Sequence, residues 1–123
     1  MILNQEEIIQ FKLDDTVLMI EGIGRTTTDN QIAFNALALI SYDLKTNLYQ
    51  MKSFVKDGSQ TDAYFKVLND HEYEWGFETP TKARLRYSIT LNQAEQTWKE
   101  TGEYSSDGTN WYPFITMNLR KIE

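Results

Sequence analysis

The stretch QTWKETGEYSSDGTNWYPFITMNLRKI, residues 96–122, decides the fold. Two extended runs, Gln96 to Ser105 and Trp111 to Ile122, lie either side of Asp107-Gly108. That dipeptide between alternating runs is a strong short-range hairpin signal. A two-residue turn there sets Tyr104 against Trp111, Glu100 against Ile115 and Trp98 against Met117. Upstream, a tight loop around Gln93-Ala94 sets Ile89 against Trp98, Tyr87 against Glu100 and Arg84 against Glu103. A loop at Thr79-Pro80-Thr81 sets Trp75 against Leu85, Tyr73 against Tyr87 and Glu74 against Arg86.

These three registers agree on which side chains share a face. One face carries Tyr73, Trp75, Phe77, Leu85, Tyr87, Ile89, Trp98, Trp111, Ile115, Met117 and Leu119. The other carries Glu74, Glu78, Lys82, Arg84, Arg86, Lys99 and Glu103, with opposite charges expected to pair across strands. Side chains alternate with period two, so this separation is what a sheet with one buried face requires. Glu100 alone breaks the pattern, because it falls on the apolar face. A carboxylate there needs hydrogen bonds, a proton or water. Either the hydroxyl of Tyr87 or Tyr104 satisfies it, or it lies near an open barrel end, or it orients a ligand in a cavity.

The rest of the chain repeats the theme. Glu6 to Leu13, Thr16 to Arg25, Ile32 to Asp43, Leu48 to Lys56, Gln60 to Leu68, Tyr73 to Glu78 and Lys82 to Leu91 read as strands. Only Ile32 to Ile40 resembles a helix, and its flanking turn residues favour strand. The Asp57-Gly58 turn has either two residues or a glycine bulge, and the choice decides whether Met51 or Lys52 faces inward. About nine runs joined by short turns predict an all-β fold, an up-and-down antiparallel barrel in a single domain over residues 1–123. A barrel of this size can enclose one small ligand.

Composition excludes several function classes. There is no cysteine, which removes thiolate chemistry and Cys-ligated zinc, and which a reducing compartment accommodates. Eighteen acidic against twelve basic residues give a net charge of -6, which argues against nucleic acid and against anionic membranes as partners. No signal-peptide pattern or membrane-length apolar run is present, so the expected location is cytoplasmic. His71, the only histidine, sits in an expected turn beside Asp70, a poor place for a catalytic triad. Gly22-Ile23-Gly24 lacks the third glycine and the helix of a dinucleotide site, and strand glycines such as these and Gly102 mark bends or close approaches. No cofactor or metal is expected. Arg84 and Arg86 read as an outer charged ladder, though in a polar lumen they would become anion ligands.

Trp98-Lys99-Glu100-Thr101-Gly102-Glu103-Tyr104-Ser105, then Asp107-Gly108, Trp111 and Phe114, resembles an uncharacterised bacterial family of calycin-like barrels. That group stands beside the lipocalins and fatty-acid-binding proteins. Ser41-Tyr42-Asp43 with Tyr49, Met51 and Asp57-Gly58 is similar to the middle of that family, and Arg86-Tyr87 to its seventh run. The resemblance covers most of the chain, mainly in turn and core residues. It implies a calycin-like barrel and says little of activity. The family's opening Gly-x-Trp strand has no counterpart here, and nine strands in a simple meander leave the first and last parallel. An edge left open in this way predicts a homodimer.

The leading expectation for function is binding of a small, largely apolar molecule inside the barrel, at Tyr73, Trp75, Tyr87, Trp98, Glu100, Trp111 and Met117. The competing expectation is a structural or assembly protein whose barrel is filled by its own side chains. A calycin-type isomerase ranks third, and no catalytic residue is named.

Overall fold

A computed structural model describes residues 3–120. It contains nine strands: β1 (Leu3–Lys12), β2 (Val17–Thr26), β3 (Ile32–Asp43), β4 (Leu48–Val55), β5 (Gln60–Val67), β6 (Glu72–Glu78), β7 (Arg84–Asn92), β8 (Thr97–Ser105) and β9 (Tyr112–Arg120). They follow one another in sheet order, antiparallel and up-and-down. The all-β class expected from the sequence is the class found. Among the described residues there is no helix, hence none long and apolar enough to cross a membrane. Two compact units divide the chain, one ending at Ala63 and one beginning at Tyr64.

In the first unit, β1, β2, β3 and β4 form successive hairpins. Ile40 on β3 faces Met51 on β4, and each is only 6% exposed. Lys52 points the other way and lies 3.4 Å from Asp62. The face is set by the Asp57-Gly58 turn. Gly58 donates its N–H to the Val55 carbonyl, Val55 donates to the Ser59 carbonyl, and Gly58 has φ 94°. This is the glycine-bulge alternative, which needs a residue that tolerates positive φ. The Ile32 to Ile40 stretch is strand throughout.

In the second unit, β6, β7, β8 and β9 carry the apolar face predicted from their alternation. Every cross-strand partner differs from the expected one. Trp75 faces Tyr87 instead of Leu85, Tyr87 faces Gly102 instead of Glu100, and Glu100 faces Met117 instead of Ile115. Each of these three is a slip of two residues, which leaves the faces unchanged because the side-chain period is two. Tyr104 alone slips by one, meeting Tyr112 instead of Trp111. The connections are longer than two- or three-residue turns. Glu78 pairs with Arg84, so residues 79–83 form the loop, closed by Thr79 N–H to the Ala83 carbonyl at 2.7 Å. Asn92 pairs with Thr97, leaving four residues between them. Lys82 (φ 68°) and Gln96 (φ 54°) take the left-handed positions in these loops. Neither is a glycine, so no turn signal marked them.

The outer face keeps its charges with rearranged partners. Arg86 donates to Glu103 Oε1 from Nε at 3.2 Å and from Nη2 at 3.0 Å. Arg84 lies 3.9 Å from Glu78. Glu74, expected to meet Arg86, instead accepts the Tyr64 hydroxyl at 2.7 Å. The Tyr64 ring reaches it by lying over Gly76, its cross-strand partner.

Candidate functional site

The site is built around Glu100, in the middle of β8 and only 9% exposed. Its register partners are Ile89 on β7 and Met117 on β9. Two tryptophans hold the carboxylate. Trp98, two residues earlier on the same face, donates its indole N–H to Oε1 at 3.2 Å. Trp75 donates from β6 to Oε2 at 2.9 Å. Trp75 must cross β7 to do so. It does this by lying flat on Tyr87, with ring centroids 4.0 Å apart and planes 8° from parallel.

Tyr87 has room for this stack because its partner on β8 is Gly102. A Cβ on Gly102 would sit 2.8 Å from the Tyr87 ring and 2.7 Å from Ile115. The glycine marks a close approach, as expected of one within a strand. Phe114 also meets Tyr87, edge-on, with ring centroids 5.9 Å apart. Further out, Trp75 stacks on Phe77 at 6.3 Å, and Tyr73 on Phe65 at 6.0 Å.

Burial pushes the Glu100 carboxyl above its ordinary value, and the two indole N–H groups oppose that shift. Burial, and secondarily the Glu100 charge, raises Tyr87. Among the described residues no cation pairs with Glu100. A buried carboxylate is thus held by neutral donors on an aromatic wall.

Of the residues predicted for the site, Trp75, Tyr87, Trp98, Glu100 and Met117 come together. Tyr73 lies at the end of the wall, with its hydroxyl 3.3 Å from the Asp70 carbonyl in the adjoining turn. Trp111 does not join them. Its ring packs under the Arg86 guanidinium at 4.0 Å, on the charged face. The register of β9 shifts opposite Gly102 and Glu103, where Gly102 meets Ile115 and Glu103 meets Pro113. Phe114 is the extra residue. Such a bulge reverses the face of everything before it on the strand.

The donors to Glu100 also differ from those expected. They are indoles, where the sequence suggested the Tyr87 or Tyr104 hydroxyl. Tyr104 is 41% exposed on the same strand and faces Tyr112. Phe114 was missed because nothing in the alternation announces the bulge. The Asp107-Gly108 connection is a six-residue loop with Asp107 as its hub. Its carboxylate accepts from Ser105 Oγ, the Thr109 and Asn110 backbone N–H groups and Asn110 Nδ2, at 2.8–3.0 Å. These bonds hold Asp107 well below the usual carboxylate range.

Two open clefts of about 490 and 450 Å³ lie at the strand ends of this unit, one beside His71 and one beside Trp98 and Leu119. Neither is lined by Glu100. His71 sits in the β5–β6 turn. No group of three or more potential metal ligands occurs among the described residues. Comparison with protein-family models, curated proteins and solved structures returned no match.

Proposed function

We propose that the chain is a cytoplasmic, calycin-like barrel that binds one small, largely apolar molecule against the aromatic wall of β6–β9. The observation that carries this reading is Glu100. Folding places a carboxylate among rings, without a cation, where an apolar side chain would be easier to bury. Binding sites of this kind combine apolar walls with a few polar groups that fix orientation. Trp75, Tyr87 and Trp98 supply flat apolar area, and Met117 supplies an adaptable thioether opposite Glu100.

Tryptophan fluorescence tests the reading, because two of the three indoles touch Glu100. Titration with N-phenylnaphthylamine, a small apolar fluorophore, is expected to give saturable one-to-one binding with energy transfer from the indoles. Native mass spectrometry of the purified protein is expected to show a retained small molecule that the fluorophore displaces. A linear, unsaturable response together with a bare protein mass would overturn the proposal.

A second reading is self-association, favoured by exposed apolar side chains in the first unit. On β1, Ile9 is 47% and Phe11 63% exposed, and Leu44 in the β3–β4 turn is 84% exposed. Apolar side chains left this exposed become association sites where they gather into one patch. The two readings are compatible, since the aromatic wall and these side chains belong to different units.

A further inference from the structure

We propose that the Glu100 carboxylate selects a ligand whose polar head donates a hydrogen bond, a hydroxyl or an amine, and rejects ligands with an acid head. This rests on the binding reading above and specifies its ligand class. Both carboxylate oxygens already act as acceptors, Oε2 toward Trp75 and Oε1 toward Trp98. That is the pattern of an acceptor-only group. Each oxygen has a second lone pair, and each indole has given its single proton. The cluster can therefore accept further hydrogen bonds and has no indole N–H left to donate.

The surroundings reinforce the sign. The residues that share this face with Glu100 are uncharged by register: Tyr73, Trp75 and Phe77 on β6, Leu85, Tyr87, Ile89 and Leu91 on β7, and Ile115, Met117 and Leu119 on β9. Arg84 and Arg86, which could hold an acid head, point to the other face and are engaged there by Glu78 and by Glu103. A carboxylate ligand would meet a like charge in a poorly solvated site, with no cation to offset it. A hydroxyl would complete the lone-pair set of Glu100 while its chain lies against Trp75, Tyr87 and Met117.

Competition separates these cases. Decanol, decylamine, decyl methyl ether and decanoate share one chain and differ in the head. Each is titrated against the bound N-phenylnaphthylamine at mildly alkaline pH, where free decanoate is ionised. Decanol and decylamine are expected to displace the fluorophore at concentrations about tenfold or more below those needed for the ether or decanoate, the scale of one hydrogen bond to a charged acceptor. In Glu100→Gln the gap between decanol and decanoate is expected to shrink, because the amide carries no charge and offers a donor.

Should Glu100→Gln fail to fold, the wild-type series still decides. Equal competition by all four heads, or preference for decanoate, would overturn the inference and leave the binding reading standing. Failure of the wild type to bind the fluorophore, together with a bare protein mass, would remove both.

Discussion

At the scale of single residues, Glu100 links sequence to chemistry most directly. Its two donors make the effect of substitution asymmetric. Glutamine offers one oxygen for one indole and turns an N–H₂ toward the other, so one indole loses its acceptor. Leucine removes both acceptors. An N–H left unpaired and buried costs about 1–3 kcal/mol. Both tryptophans are only partly buried and can turn toward water. Glu100→Leu is therefore expected to destabilise more than Glu100→Gln, by about 1 kcal/mol or more in urea unfolding. Equal stabilities would mean that the indole bonds contribute nothing.

The pH dependence has a definite sign. The folded pKa of Glu100 is raised from 4.5, so over the interval above that value the folded protein holds a proton that the unfolded chain has lost. Stability falls as pH rises through this interval and levels off beyond the folded pKa. Glu100→Gln does not titrate, so its stability relative to wild type is expected to rise through the same interval. Asp107 acts oppositely and at lower pH. Its folded pKa is depressed from 3.8, so its contribution is lost as pH falls below that value. A constant gap between Glu100→Gln and wild type from pH 4 to 8 would contradict the burial of the charge.

At the scale of elements, the β8–β9 hairpin shows where local space decides the fold. Gly102 accommodates Tyr87, Ile115 and Phe114 at once, with an added Cβ only 2.7–3.0 Å from each. Two of the three neighbours are rings held by other contacts, so they cannot move aside freely. Gly102→Ala is expected to destabilise by about 1–3 kcal/mol, the usual consequence of overpacking. It should also weaken the stack of Trp75 on Tyr87, seen as a change in near-ultraviolet circular dichroism. An unchanged spectrum and an unchanged urea midpoint would show that the rings relax without consequence.

The same hairpin shows how far the sequence could be read. The nine strands, their order and the apolar face of β6–β8 follow from alternation, which survives a two-residue slip. Cross-strand partners do not survive it, so the expected ion pairs of Glu74 with Arg86 and Glu103 with Arg84 gave way to others. Loop lengths set the partners, and they depended on Lys82 and Gln96 adopting positive φ, which composition does not signal. Glu100 was legible as an exception on its face. Its indole donors were not, because reaching Trp75 across β7 needs the true register and the flat stack on Tyr87. Trp111 was misplaced by the bulge at Phe114. There it meets Arg86, a cation–π contact worth about 0.5–2 kcal/mol depending on exposure.

At the scale of the whole molecule, net charge and exposed apolar surface pull in opposite directions. With a charge of -6, two copies repel at a distance, and salt screens that repulsion over about 10 Å at 0.1 M. The exposed side chains of the first unit, Phe11 and Leu44 among them, favour contact, and salts that strengthen apolar burial favour it further. If copies associate as proposed, the association should be apolar in character and should tighten as salt is added. Sedimentation velocity across micromolar concentrations is expected to show a mass that rises with concentration, and rises further in sodium sulfate. Phe11→Ser and Leu44→Ser, both at exposed positions, should return the chain to monomer while leaving tryptophan fluorescence unchanged, because the three tryptophans lie in the second unit. Association that weakens with salt would instead point to charge pairing, with Arg25 and Glu6 of the first unit, already 3.1 Å apart within one chain, among the groups to exchange. A monomer at every concentration, in low salt and high, would remove self-association from the account and leave the exposed apolar residues without a partner.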